Sequence, residues 1–344
     1  MTIPIQDFVF TGRGSTGLWA ILKSLNLPNS KILIPVNICE IIIPVIYKAG
    51  MIPVYYDVDE VTGIANYNHI IDAYQGDELA LLAVHNFGIP LDIEEISAWT
   101  KERNIFLIED VCNAIGATYK KIPLGLWGDA AIYSFGYAKI VEYGVGGAIL
   151  IRDRYFEKEV LKTLDTLEYY STLHKNKNIE FQARLRDYRK DSRLQTPSVY
   201  CPLYSEYANF LLYNIPAKTS AEIKKEIKRL DKNLHNRAKK AFLYRKGIHS
   251  SNISHIEEKD GQVYWRYNLL VAPTIRQSLI DKIRTNNLLV STWYPPVIGL
   301  FEKKYAPTDF AGSYSFSEKI INLFLDHRVS ENEVLKMIEL INNS

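Results

Sequence analysis

Lys139 ends an apolar and aromatic run, Ala130 to Phe135 followed by Gly-Tyr-Ala, and a lysine so placed is a candidate for carbonyl chemistry. Desolvation disfavours the ammonium, lowers its pKa and leaves a neutral amine able to form a Schiff base with an aldehyde cofactor. Ser134, five residues earlier at a strand-to-turn junction, can offer a hydroxyl to a phosphate. The plainer reading is a buried strand with a snorkelling lysine. Asp110 weighs against it, because it follows the apolar strand Ile105 to Ile108 at the end where open α/β sheets place their ligands. A carboxylate there can keep the pyridinium nitrogen of pyridoxal phosphate protonated, which makes the ring an electron sink. Capping a loop is the commoner fate of a strand-end Asp; the company of Ser134 and Lys139 favours the cofactor role.

These residues need elements to hold them. Gly12-Arg-Gly-Ser-Thr-Gly17 opens a helical stretch, Leu18 to Leu27, that Pro28 ends. Free amides and hydroxyls at a helix start can cradle a phosphate, or Ser15 and Thr16 can simply cap the helix. From Lys31 short apolar runs alternate with amphipathic helices: Ile32 to Val36, Cys39 to Ala49, Ile52 to Tyr56, Leu79 to Val84, Ile93 to Arg103, Ile105 to Ile108 and Ala130 to Phe135. That order reads as βαβ units around a mostly parallel sheet. Ser220 to Lys246 reads as one long charged helix bridging to a strand-helix-strand-helix unit made of Trp265 to Val271, Ser278 to Asn286, Leu288 to Trp293 and Glu331 to Ile341. The expected fold is α/β, with a large domain over 1–220 and the bridging helix plus a smaller α+β domain over 221–344.

The 344 residues, 47% hydrophobic and 23% charged, suit a globular enzyme. A net charge of +2 asks for neither nucleic acid nor an acidic membrane surface. Three widely spaced cysteines fit neither a disulfide framework nor a zinc site. With no basic leader and no 18-residue apolar run, a cytoplasmic protein is expected. Gly144-Val-Gly-Gly lacks the spacing of a nicotinamide-binding turn.

Taken together, Gly14 to Leu18, Ala49 to Asp59, Val84 to Gly88, Glu109-Asp110 to Ala117, Gly128 to Lys139 and Gly144 to Ile149 resemble the DegT/DnrJ/EryC1/StrS family of sugar aminotransferases, which are fold-type I pyridoxal-phosphate enzymes. Tyr213-Asn214, Trp293-Tyr-Pro-Pro296 and Leu323 to His327 match weaker signatures. The resemblance implies that Lys139 carries pyridoxal 5'-phosphate, that Asp110 faces the ring nitrogen, and that Ser15, Thr16 and Ser134 hold the phosphate. It implies a homodimer in which Asn214 of the partner chain also touches the phosphate, although the family's arginine two residues later is Pro216 here. Asn113 stands where glutamine is usual near the ring hydroxyl. Cys39 stands where an aromatic residue usually stacks on the ring, so either the thiol or another side chain covers it.

The implied reaction moves an amino group from an amino acid, glutamate being the expected donor, to a nucleotide-linked keto sugar for aminosugar or surface-polysaccharide synthesis. Arg184, Arg186, Arg189 and Arg193 could line a basic groove for the nucleotide or merely coat a solvated helix face. His85 could act as a general base, but a structural histidine is the favoured reading. The tyrosine-rich stretch Tyr200 to Tyr213 is a candidate dimer contact. Two alternatives stand: a sugar dehydratase, whose family members carry histidine in place of the lysine, and a non-catalytic regulatory protein on the same fold.

Overall fold

The computed structural model describes residues 3–302 and 305–344. Its first strands are β1 (Val9–Thr11), β2 (Lys31–Pro35), β3 (Ile52–Tyr56), β4 (Glu78–Val84) and β5 (Phe106–Asp110). A small hairpin of β6 (Thr118–Tyr119) and β7 (Ile122–Pro123) follows, then β8 (Ala130–Ser134) and β9 (Gly147–Ile151). Apart from the hairpin these form one sheet in the order β1-β9-β8-β5-β4-β2-β3. The run from β8 to β3 is parallel, and β9 lies antiparallel to both β8 and β1. The central strands are buried on both faces, which is why they read as continuous apolar runs.

Helices cover both faces. α1 (Gly14–Ser24) and α2 (Ile42–Ala49) pack on one; α3 (Tyr67–Ala73) and α4 (Ile93–Glu102) pack on the other through Ile70, Ile93, Ile96 and Trp99. α5 (Arg154–Leu164), α6 (Thr172–Lys190) and α7 (Pro197–Leu211) join the first face. Within the stretch Tyr200 to Tyr213, a candidate dimer contact, Tyr200, Leu203, Tyr204 and Tyr207 are buried in this chain's own core.

The long helix expected over Ser220 to Lys246 is two helices, α8 (Ala217–Ile227) and α9 (Leu230–Gly247). They serve different cores: Ile223 and Ile227 pack against the large sheet, Ala241 and Tyr244 against a second one, and a break at Lys228-Arg229 lets each apolar face turn to its own partner. That second sheet has four antiparallel strands, β10 (Ile253–His255), β11 (Tyr267–Val271), β12 (Val290–Ser291) and β13 (Ile320–Leu323), in the order β10-β11-β13-β12. α10 (Pro273–Thr285), α11 (Ala311–Lys319) and α12 (Glu331–Asn342) complete the chain. Between β12 and α11 the chain returns to the first core, where Val297, Ile298, Phe301 and Phe310 pack and the Val297 amide bonds to the Val36 carbonyl at 2.9 Å.

One buried charge holds the end of β5 in place. Glu109, fully buried, accepts from the amides of Gly125, Trp127 and Gly128 at 2.7–2.8 Å. His85 accepts the Leu91 amide at Nδ1, so its proton sits on Nε2 and faces Glu109 at 3.2 Å. The ring is fully occupied by structural bonds, as the favoured reading required. Glu109→Ala strips a carboxylate that four donors share and leaves them unpaired; it should cost about 3–5 kcal/mol of stability in denaturant unfolding. A loss below about 1 kcal/mol would show that water replaces the carboxylate freely.

Candidate active site

The carboxyl ends of β5 and β8, the start of α1, one side of α6 and the approaches to β11 and β12 enclose a cavity of about 440 Å³. Asp110, Ser15, Ser134, Cys39 and Lys139, five of the residues singled out from sequence, line it together. Alternation along β5 explains why Asp110 faces the cavity while Glu109 points to the other side of the sheet.

α1 begins without a side-chain cap at Arg13, so its first-turn amides and their positive dipole end are available to an anion. Gly14 permits the close approach: a Cβ there would lie 2.9 Å from Cys112 Sγ and 3.1 Å from the Tyr133 carbonyl. Ser15 lines the cavity beside this turn. Thr16 does not line the cavity; it is wholly buried, and its Oγ1 has no hydrogen-bond partner among the described residues. Arg13 reaches Tyr213 Oη at 3.0 Å and Asn178 Oδ1 at 2.6 Å.

Asp110 is 8% exposed, accepts the Cys112 amide at 2.9 Å, and forms no ion pair among the described residues. A nearly buried carboxylate without a cation is costly unless something cationic joins it. Lys139 donates from Nζ to Asn113 Oδ1 at 2.9 Å, and Asn113 donates from Nδ2 to Tyr294 Oη at 3.0 Å. Asn113 thus holds the amine instead of opening onto the cavity.

The lowered Lys139 pKa expected from sequence is not what the structure gives. Burial does pull it down, but Tyr294, Cys112, Asp110 and Cys39 face the amine and outweigh burial, so the net shift is upward. Burial raises both thiols as well, Cys112 strongly.

Asn214 is not in the cavity wall of its own chain. Its Nδ2 donates to the Leu164 carbonyl at 2.7 Å and its backbone bonds with Glu168 and Tyr170. The arginine cluster also divides: Arg184 pairs with Glu206 and Arg193 with Asp191, whereas Arg189 reaches the cavity but is tied to Glu40 at 2.6 Å. Tyr204 Oη joins Glu40 at 2.9 Å. Sequence reading assigned no role to Trp265, Arg266 or Tyr294, which close the cavity from the second sheet's side. The Trp-Tyr-Pro-Pro signature was the one available hint.

Residues 8–342 match the description of the DegT/DnrJ/EryC1/StrS aminotransferase family. The chain belongs to this family. Membership implies pyridoxal 5'-phosphate as the cofactor, and the residues fit it: an amine, an unpaired buried carboxylate and an open helix start face one cavity. Among relatives, a GDP-perosamine synthase of Escherichia coli O157:H7 is 25% identical over 346 aligned residues, covering 98% of this chain and 85% of that protein. A dTDP-4-dehydro-2,6-dideoxy-D-glucose 3-dehydratase of Saccharopolyspora spinosa is 36% identical over 101 residues, 29% of this chain and 22% of that protein. The crystal structure of the aminotransferase TlmJ from Streptoalloteichus hindustanus superposes with a TM-score of 0.77 at 18% identity, covering 98% of this chain and 85% of that one. The shared architecture is that of fold-type I enzymes. Among the described residues no helix is long and apolar enough to cross a membrane, and no cluster of acidic, histidine or cysteine side chains could hold a metal ion.

The raised Lys139 pKa has a kinetic signature. The amine must lose its proton before it can attack an aldehyde, so cofactor capture by stripped protein should accelerate as pH rises from 7 to 9, approaching about tenfold per unit while the ammonium predominates. Growth of the protein-bound cofactor's absorbance after mixing measures this; a flat profile would mean that the amine is already neutral at pH 7.

Proposed function

We propose that the chain is a pyridoxal-phosphate-dependent aminotransferase that passes an amino group from an amino acid, glutamate being the expected donor, to a nucleotide-linked keto sugar, and that it works as a homodimer. The observation that carries the reading is the joint placement of Lys139 and the unpaired Asp110 on one cavity that an open helix start also lines. When bound, pyridoxal phosphate supplies an electron sink for charge developing next to the reacting nitrogen. Asp110 is suited to stabilise positive charge on the ring nitrogen, Ser15, Ser134 and the α1 amides to anchor the phosphate, and Lys139 to hold the cofactor and afterwards move a proton at Nζ. Asn113 and Tyr294 fix where that Nζ sits.

A family-related dehydratase matches part of the chain, but position 139 is lysine, and its amine is hydrogen-bonded in place for the aminotransferase role. Aromatic walls at Trp293, Tyr204 and Tyr213, with Arg13 at the phosphate end, suit a large acceptor carrying a base and a pyranose ring.

Two outcomes test the proposal. Asp110→Asn keeps the shape and removes the charge, so with cofactor still bound the half-reaction with amino donor should slow by about 10³-fold or more; near-normal turnover would mean that another acid serves the ring. In stopped-flow, a nucleotide-linked 4-keto or 3-keto sugar should discharge the aminated cofactor much faster than pyruvate or 2-oxoglutarate does. Faster discharge by the simple keto acids, with none by any keto sugar nucleotide, would overturn the acceptor class.

A further inference from the structure

Arg266 is an anomaly among the cations of the cavity. Arg189 is neutralised by Glu40, and Arg13 lies at the phosphate end, spent on Tyr213 and Asn178. Arg266 is only 5% exposed, lines the cavity, donates to Ser291 Oγ, and forms no ion pair among the described residues. An unpaired guanidinium in so dry a place is costly, as isolated buried charges are. Burial pulls its pKa down to about 10, which still leaves it fully cationic at neutral pH.

Its surroundings restrict what can approach. The guanidinium carbon lies 4.3 Å from the ring centre of Trp265 and 3.9 Å from that of Phe324, so two aromatic rings crowd it. Its N–H donors lie in a fork that matches two oxygens of a planar acceptor.

The position along the cavity is set as well. The neighbouring Trp265 donates from its indole to the carbonyl of Ala138, the residue before Lys139, at 2.6 Å, and stacks on Tyr294 with ring centres 6.0 Å apart. Tyr294 is bonded to Asn113, which receives the Lys139 amine. Arg266 therefore stands at the end where nitrogen is exchanged.

We propose that Arg266 receives the α-carboxylate of the amino-acid donor, placing the donor's amine at the position of Lys139 Nζ. This rests on the aminotransferase reading and adds to it a specificity residue and the way the donor is oriented. A carboxylate beside the amine is the feature that amino acids share and that keto sugar nucleotides lack. The same cation therefore discriminates between the two halves of the reaction. The acceptor's phosphates are the rival occupant, and the test separates them.

With cofactor-loaded full-length protein, glutamate is titrated against the absorbance of the lysine-bound cofactor, and loss of the amine form is followed separately with the keto sugar nucleotide. Arg266→Gln should raise the glutamate concentration for half-conversion by about 10- to 100-fold, the size expected for a charge-assisted pair, and leave the acceptor's concentration dependence unchanged. Arg266→Lys, which keeps charge and loses the fork, should fall between. Glutarate, which has the carboxylates and no amine, supplies a readout without turnover: calorimetry should show it binding the wild type and weakened by the same factor in Arg266→Gln.

Equal glutamate and glutarate dependence in wild type and Arg266→Gln would overturn the proposal, as would a defect confined to the sugar nucleotide. If Arg266→Gln does not retain cofactor, the lysine variant decides by the same two measurements. Absence of any spectral change with amino acids in the wild type would instead defeat the aminotransferase reading, and glutarate binding would still decide whether Arg266 is a carboxylate site.

Discussion

Two consecutive carboxylates at the end of β5 meet opposite fates, and much of the molecule follows from the cost of burying them. Glu109 and Asp110 leave the strand on opposite faces, one with Leu107 in the core under α4 and the other with Ile108 in the core under α1. Glu109 is satisfied from within, by three turn amides and the His85 ring, which pins the hairpin region to the sheet. Asp110 accepts one amide, faces the Lys139 amine without an ion pair among the described residues, and borders the cavity. A protein that buries a charge without a partner has either spent stability for nothing or reserved a place for a cation. Arg266 repeats the pattern with the sign reversed, so the cavity is bordered by a carboxylate and a guanidinium that form no ion pair among the described residues.

Much of this was legible in the sequence because the decisive residues lie at ends of strands. The alternating order of the large sheet, the open turn at Gly14 and the convergence of Asp110, Ser134 and Lys139 on one edge all follow from local pattern plus the rule that parallel strands present ligands at their carboxyl ends. Cys39 does line the cavity, as its position beyond β2 suggested.

What stayed hidden depends on contacts between distant parts of the chain. Asn113 and Tyr294 are 181 residues apart, and no local signal pairs them. The break between α8 and α9 involves neither proline nor glycine; it exists because the two helices answer to different cores. The direction of the Lys139 shift was missed for a related reason. Burial was visible in the apolar sequence around it, but the acidic groups that overcome burial arrive from β5, from the loop after β2 and from beyond β12. The arginines from Arg184 to Arg193 could be read as a groove or as a solvated face; Arg184 and Arg193 pair with Glu206 and Asp191, while Arg189 reaches the cavity wall.

Cys39 and Cys112 have a chemical meaning beyond their place in the wall. Both sulfurs border a cavity suited to an aldehyde, and a thiolate competes with an amine for the same electrophilic carbon. Burial raises the pKa of both and so disfavours the thiolate, the nucleophilic form of sulfur. The dry lining therefore works against thiohemiacetal formation, the side reaction that two sulfurs beside an aldehyde would otherwise invite.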